Sequence, residues 1–326
     1  MASKSGRLLL TGGLGYLGGR VATHLAAKAP ELFLRLMTRR DREAAPEWAR
    51  PMDVVTADIL DEQSLDIALD GIDTVIHLAA VNEIDSQSDP DLALEVNGRA
   101  TYRLLQACQA KGISKFIYFS TFHVYGPGAK QPITEETPTR PVHPYAITHH
   151  LAEDYVNWHR HSQGMDAVII RLSNGYGYPA DPGVQRWTLV FNDLCRQAVE
   201  KEEIRLRSGG TQQRDFIPLH DVARGVRHFL NLPTSSWGDG LFNLGGDRSM
   251  SILEVAERVA REYQSCYGKK IPVITPGSDL QSGGQVTFSI DKLKQTGFSL
   301  QGDIGNEIRG TLKVCEQLVR EQVRGR

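Results

Sequence analysis

Short apolar runs alternate along the first half of the chain with stretches whose apolar residues recur every three or four positions. Leu8–Leu10 is the first run and reads as a buried strand. Leu17, Val21 and Leu25 then repeat at helical spacing until Pro30 closes the region. Leu32–Met37, Asp53–Ile59, Thr74–Ala79, Phe116–Ser120 and Val168–Leu172 read as strands two to six. Helices are predicted between them, among them Ala93–Lys111 and Tyr145–Gln163. This alternation predicts an α/β fold built on a doubly wound parallel sheet. From Gly175 it breaks. Tyr178–Gly183 reads as a loop, Trp187–Glu200 as a helix, His220-Asp221-Val222 as a helix start, and the tail from Ser249 as helix-rich. The expected division puts residues 1–174, with about 215–245, in the sheet domain. Residues 175–214 and 246–326 form a smaller, discontinuous α/β substrate domain, with a cleft between the two.

Ligands of such sheets sit at the carboxyl ends of the strands, so the residues just past each strand carry the chemistry. After strand one comes Gly12-Gly13-Leu14-Gly15-Tyr16-Leu17-Gly18. Glycines there let the chain turn tightly and let its backbone approach a pyrophosphate. The helix that follows presents unpaired N–H groups and a partial positive charge to that anion. Strand, glycine turn and helix in this order point to dinucleotide binding. After strand two comes Thr38-Arg39-Arg40, with no acidic residue to accept from an NAD ribose. Arg39 can instead pair with the 2′-phosphate of NADP, or belong to a solvated basic turn. The lean is to NADP over NAD. Asp58, followed by Ile59, can accept from an adenine amine or cap the next helix. Leu78, Ala79 and Ala80 are small or apolar where a flat cofactor could lie close. The neighbouring His77 reads as a satisfied core histidine, and Asn97 as a residue that can tie backbone together.

Bulk properties narrow the classes. With 326 residues the chain can bury a large core. A net charge of −2 gives no electrostatic case for nucleic acid or an anionic membrane surface. No apolar run is long enough to span a bilayer, and no apolar stretch precedes the first strand as in a signal peptide. Cys108, Cys195, Cys266 and Cys315 are far apart and read as reduced thiols of a cytoplasmic protein, with no metal-site spacing.

The fifth strand ends in Ser120-Thr121-Phe122-His123-Val124-Tyr125-Gly126, and a proline-rich loop follows. Pro144 sets the entry to a helix on which Tyr145 and His149 stand one turn apart. A phenol with a partner one turn later is an acid/base arrangement. These pieces, with Arg171–Gly177, Arg214–Ile217, Phe242–Gly246 and Ile290–Leu293, resemble the extended short-chain dehydrogenase/reductase family. That family comprises nucleotide-sugar epimerases, dehydratases and reductases on a Rossmann sheet. The resemblance implies a nucleotide-sugar substrate, an NAD or NADP cofactor and a homodimer through two sheet-flanking helices. It implies that Thr121 holds the substrate hydroxyl or carbonyl and that Tyr145 moves the proton while hydride moves to or from the nicotinamide. His123 falls among the substrate-facing positions, Asn174 would touch the sugar nucleotide, and Arg214 would grip its diphosphate, a bidentate task suited to guanidinium.

Two departures stand out. The family's Lys, four residues after the Tyr, is His149 here. A cation about 4 Å away at an effective dielectric near 20 contributes roughly 4 kcal/mol, enough to lower a phenol pKa by a few units. A neutral imidazole can hydrogen-bond the ribose but supplies no such charge. Family dehydratases place Asp-Glu after the Thr, and this chain has Phe122-His123, so 4,6-dehydration is not expected. Keto-reduction heads the readings, ahead of epimerisation with tightly held NAD. A non-catalytic NADP-binding sensor is the reading from another class.

Overall fold

The structure is a computed structural model that describes residues 6–184, 186–277 and 284–324. In chain order its elements are β1 (Arg7–Thr11), α1 (Tyr16–Lys28), β2 (Phe33–Thr38), β3 (Asp53–Thr56), α2 (Glu62–Ala68), β4 (Thr74–His77), α3 (Glu83–Ser88) and α4 (Pro90–Ala93). A π-helical turn, Leu94–Arg99, then leads into α5 (Ala100–Ala110). Next come β5 (Lys115–Thr121), α6 (Pro144–Gln163), β6 (Asp166–Leu172) and β7 (Asn174–Tyr176). The chain continues through α7 (Val190–Lys201), β8 (Ile204–Arg205), β9 (Gln213–Pro218), α8 (Leu219–Asn231), β10 (Leu241–Leu244) and β11 (Ser249–Ser251). It ends with α9 (Ile252–Tyr267), β12 (Val273–Ile274), α10 (Asp291–Gln295) and α11 (Ile304–Arg324).

Seven strands form one parallel sheet in the order β10-β6-β5-β4-β1-β2-β3, the doubly wound Rossmann arrangement that the alternation predicts. The order reverses beside β1, which places the carboxyl ends of β1 and β4 at the crevice where ligands bind such sheets. Both faces are covered. One apolar cluster packs Leu8, Leu10, Leu36 and Ile76 under α1 and α8; the other packs Leu9, Val75, Phe116 and Ile169 under α5 and α6.

Several boundaries differ from the sequence reading. β3 and β4 stop at Thr56 and His77, because the chain past them turns into the crevice instead of continuing the ladder. The helix expected over 93–111 is present and runs without interruption from Pro90 to Ala110, with Leu94–Arg99 wound as a π-helical turn. The helix expected from Trp187 starts at Val190, and Trp187 packs in the turn before it.

Beyond β7 a three-stranded sheet, β11-β9-β7, and a two-stranded one, β12-β8, surround a third apolar cluster with α7, α9 and α11. The 246–326 stretch is shared, since Leu293 and Phe298 belong to the core under the large sheet. Helix α1 joins the two regions. Arg20 forks onto Glu307 of α11 at 2.6 and 2.9 Å, both side chains buried, and its guanidinium lies 3.8 Å over the Tyr178 ring. The Tyr16 hydroxyl donates to the Gly177 carbonyl at 2.6 Å.

Candidate active site

The site begins at the turn after β1. Gly12 has φ +66°, and a Cβ there would approach the Ala79 amide nitrogen to 3.1 Å. A Cβ at Gly18 would meet the Gly12 carbonyl oxygen at 2.2 Å, so α1 can close on the turn only through glycine. Gly15 caps α1 without a side chain, and no acidic residue stands in its first turn. The first N–H groups of α1 therefore remain for an anion. Thr11 locks this turn to the next strand. Its hydroxyl accepts from the amides of Leu78 and Ala79 at 3.1 and 3.2 Å and bonds His77 Nδ1 at 2.7 Å.

Thr101 donates its own proton to the Asn97 carbonyl, so its oxygen accepts from His77 Nε2 at 2.9 Å. Both ring nitrogens of His77 are satisfied, and burial pushes its pKa down to about 3. It is the core histidine the sequence suggests.

A cleft of about 760 Å³ lies over the turn. Gly12, Gly15, Arg39, Asp58, Ile59, Ala79 and Ala80 line it, with Val184 from the far side. Arg39 is exposed at its rim, whereas Arg40 is engaged with Asp181 at 3.2 Å. The Asp58 carboxylate accepts from the Leu60 amide, and the cap of α2 is Asp61 rather than Asp58. Tyr16, Leu17, Gly18, Leu78, Asn97, Tyr145 and His149 lie outside this lining. Asn97 is occupied. Its amide accepts from Val81 N at 2.7 Å and donates to the Val81 carbonyl and to Thr148, tying the cleft wall to α6.

The second half of the site joins the end of β5 to the start of α6. Thr121 is buried, accepts from the His123 amide and lies close enough to the Tyr145 phenol to favour its ionised form. His143 caps α6 through its ring nitrogen, which accepts from Ala146 N, and Pro144 opens the helix. The rings of His123 and His143 stand 6.1 and 6.2 Å from that of Tyr145. Burial, then the Glu83 carboxylate, pushes the Tyr145 pKa up to about 12, with Arg186 and the Thr121 hydroxyl opposing. Burial also drives His123 down to about 4, with His143 adding to the effect and Glu83 opposing.

His149 is buried, its ring 4.5 Å from that of Tyr145 in an edge-on contact. Its Nδ1 bonds the Tyr118 hydroxyl at 2.7 Å, and its Nε2 has no partner. Burial, and then His77 and His123, push its pKa down to about 3. The position that holds a permanent cation in the family resemblance is therefore neutral here. Behind it, Glu153 accepts from Ser120 at 2.5 Å and pairs with Arg171 at 2.7 Å. Asn174 donates to the Asp215 carbonyl, and Arg214 is exposed on β9 near enough to His123 to bias its charge.

The sequence reading did not single out Tyr118, His143, Glu83 or Arg186. Tyr118 was reachable, since it stands two residues before Ser120 on one face of β5. Glu83 lies just past the carboxyl end of β4. Arg186 has no sequence signal, because a loop from elsewhere brings it to Glu83 at 3.1 Å.

A model of the NAD dependent epimerase/dehydratase family matches residues 8–245. The chain belongs to this family. It is 30% identical over 311 residues to the UDP-glucose 4-epimerase of Azospirillum brasilense, covering 89% of this chain and 86% of that one. Among solved structures, the UDP-glucose 4-epimerase of Thermus thermophilus in complex with NAD aligns at TM-score 0.77 and 25% identity, covering 95% and 98% of the two chains. The protein RMD from Pseudomonas aeruginosa, complexed with NADPH, aligns at TM-score 0.78 and 25% identity, covering 96% and 100%. This family member is thus an enzyme with an NAD(P) fold. The glycine cradle, the uncapped start of α1 and the orphaned Nε2 of His149 fit such a cofactor. Among the described residues no helix is long and apolar enough to cross a membrane.

Proposed function

We propose that this enzyme reduces a ring ketone of a nucleotide-activated sugar. The observation that carries the reading is the buried Tyr145 phenol set 4.5 Å from the His149 ring, with burial holding the phenol protonated and the imidazole neutral. A phenol that keeps its proton at neutral pH is an acid, suited to protonate the alkoxide that forms as a ketone is reduced. The reverse direction calls for a phenolate, and the Arg186 charge that favours one is outweighed by burial and the Glu83 carboxylate. When bound, the reduced nicotinamide supplies the hydride. Thr121 orients the carbonyl oxygen toward the phenol, and Arg214 grips the diphosphate while Asn174 and His123 border the sugar.

The cofactor would rest on the backbone of Gly12, Gly15, Tyr16, Leu17 and Gly18. Asp58 and Ile59 would lie at the adenine, Leu78, Ala79 and Ala80 along the chain toward the nicotinamide, and His149 at its ribose. Asn97 would hold the wall. Arg39 at the cleft rim supports NADP. Residues 1–174 with about 215–245 would form the cofactor part, and 175–214 with 246–326 most of the substrate part. Ile147 and Trp158, 48% and 45% exposed on α6, support pairing of two copies through that helix.

A second reading, epimerisation with tightly held NAD, is favoured by the names of the relatives. Nicotinamide absorbance, followed with a panel of 4-keto nucleotide sugars, separates the two. The expected result is sugar-dependent NADPH oxidation. Interconversion of 4-epimers without net oxidation, by protein that releases NAD on denaturation, would establish the epimerase. Cofactor binding with no sugar-dependent change would leave a sensor.

A further inference from the structure

We infer that Tyr118 is a positioning residue that locks His149 as its Nε2–H tautomer, and so presents a neutral N–H donor beside Tyr145 for a hydroxyl of the nicotinamide ribose. The ribose contact rests on the function proposed above; the lock itself does not.

The argument is a count of buried protons. Tyr118 is buried on β5, and among the described residues its hydroxyl bonds only His149 Nδ1. If the phenol donates, Nδ1 accepts, the imidazole proton sits on Nε2, and one buried donor is left over. If the phenol accepts from Nδ1–H, its own proton and the Nε2 lone pair are both left without partners. Each buried polar group without a partner is costly, so the first arrangement wins. The spare Nε2–H is the orphan atom of this histidine. A tyrosine cannot release its proton cheaply in this place, since burial and the nearby Glu153 raise its pKa well above the ordinary value. The groups around the imidazole do not offer it a countercharge. His77 of β4 is neutral with both nitrogens occupied, and His123, past β5, is held neutral by burial. Tyr145 is a protonated phenol, and Glu153 is spent on Ser120 and Arg171.

The neutral Nε2–H can donate, but it cannot act as a base, and it adds no field to lower the Tyr145 pKa. The Tyr118–His149 pair would therefore keep half of what a lysine does here, the hydrogen bond, without the charge.

The test uses the full chain with ¹⁵N-labelled histidine, the His149 signals being assigned by their loss in His149→Gln. In the ligand-free wild type we expect a protonated-type Nε2 and an unprotonated-type Nδ1. The opposite pattern, or a protonated ring at neutral pH, overturns the inference. Tyr118→Phe should mix the tautomers and weaken NADPH or NADH binding about tenfold, the scale of one hydrogen bond. A glutamine at 149 keeps an N–H at the ε position and has no tautomer to set. In the His149→Gln background, Tyr118→Phe should therefore change affinity little. An equal loss in both backgrounds overturns the positioning role. If Tyr118→Phe does not fold, the wild-type spectrum still decides the lock. If the wild type binds no nicotinamide cofactor, the proposed function and the ribose contact fall, while the ligand-free spectrum still decides the tautomer.

Discussion

The two ends of the site are built on opposite principles. The end proposed for the nucleotide is made of backbone, with a glycine turn, the start of a helix, and polar side chains at an open rim. The end proposed for hydride transfer is made of side chains from β4, β5 and α6, packed until imidazoles and phenols are held neutral. The difference teaches where charge is used. An anion needs only N–H groups and a helix dipole, which any chain carries, so a local motif suffices. Proton transfer needs a chosen protonation state, and burial sets it, so distant elements must meet.

The comparison breaks most visibly at the hydride end. Tyr145→Phe removes the proton donor and should lower kcat/KM by about three orders of magnitude, with cofactor affinity changed little. Loss of both together in a titration would mean that the two ends are not separable.

Neutral histidines make a pH prediction. His77 and His149 have folded pKa values of about 3 against an ordinary 6.5. The unfolded chain then binds more protons below pH 6.5, and stability falls as the pH drops from there toward 3. The slope is about 1.4 kcal/mol per pH unit for each imidazole. Urea unfolding between neutral and mildly acidic pH should show this loss, and His149→Gln should remove about half of the part these two contribute.

At the nucleotide end, Gly12→Ala places a side chain at a left-handed turn beside Ala79. It should cost about 1–2 kcal/mol in stability and weaken the cofactor, read by denaturation and by binding. The smallest expected effect is that of Arg39→Ala, about tenfold on NADPH affinity with NADH unchanged. Equal losses for both cofactors would assign Arg39 to the general field of the rim.

The legible parts of the molecule follow this division. The glycine turn, the strand alternation and the Tyr145–His149 spacing were readable because each is written within a few consecutive residues. The π-helical winding inside the 93–111 helix was not, since that turn serves Asn97, whose amide must reach Val81 and Thr148. Tyr16 illustrates the same point. Its place in the glycine motif concerns its backbone, while its phenol is spent on the Gly177 carbonyl across the molecule.

By itself the amino-acid sequence determined the parallel sheet, the place of the glycine turn and the presence of His149 where the family resemblance expects a lysine, because periodicity and local backbone geometry act over a few residues. Only the tertiary structure decided that this histidine is neutral, that Tyr118 backs it and that Glu83 faces Arg186. Burial and partner choice depend on side chains brought together from opposite ends of separate strands, helices and loops, and no spacing along the chain encodes them.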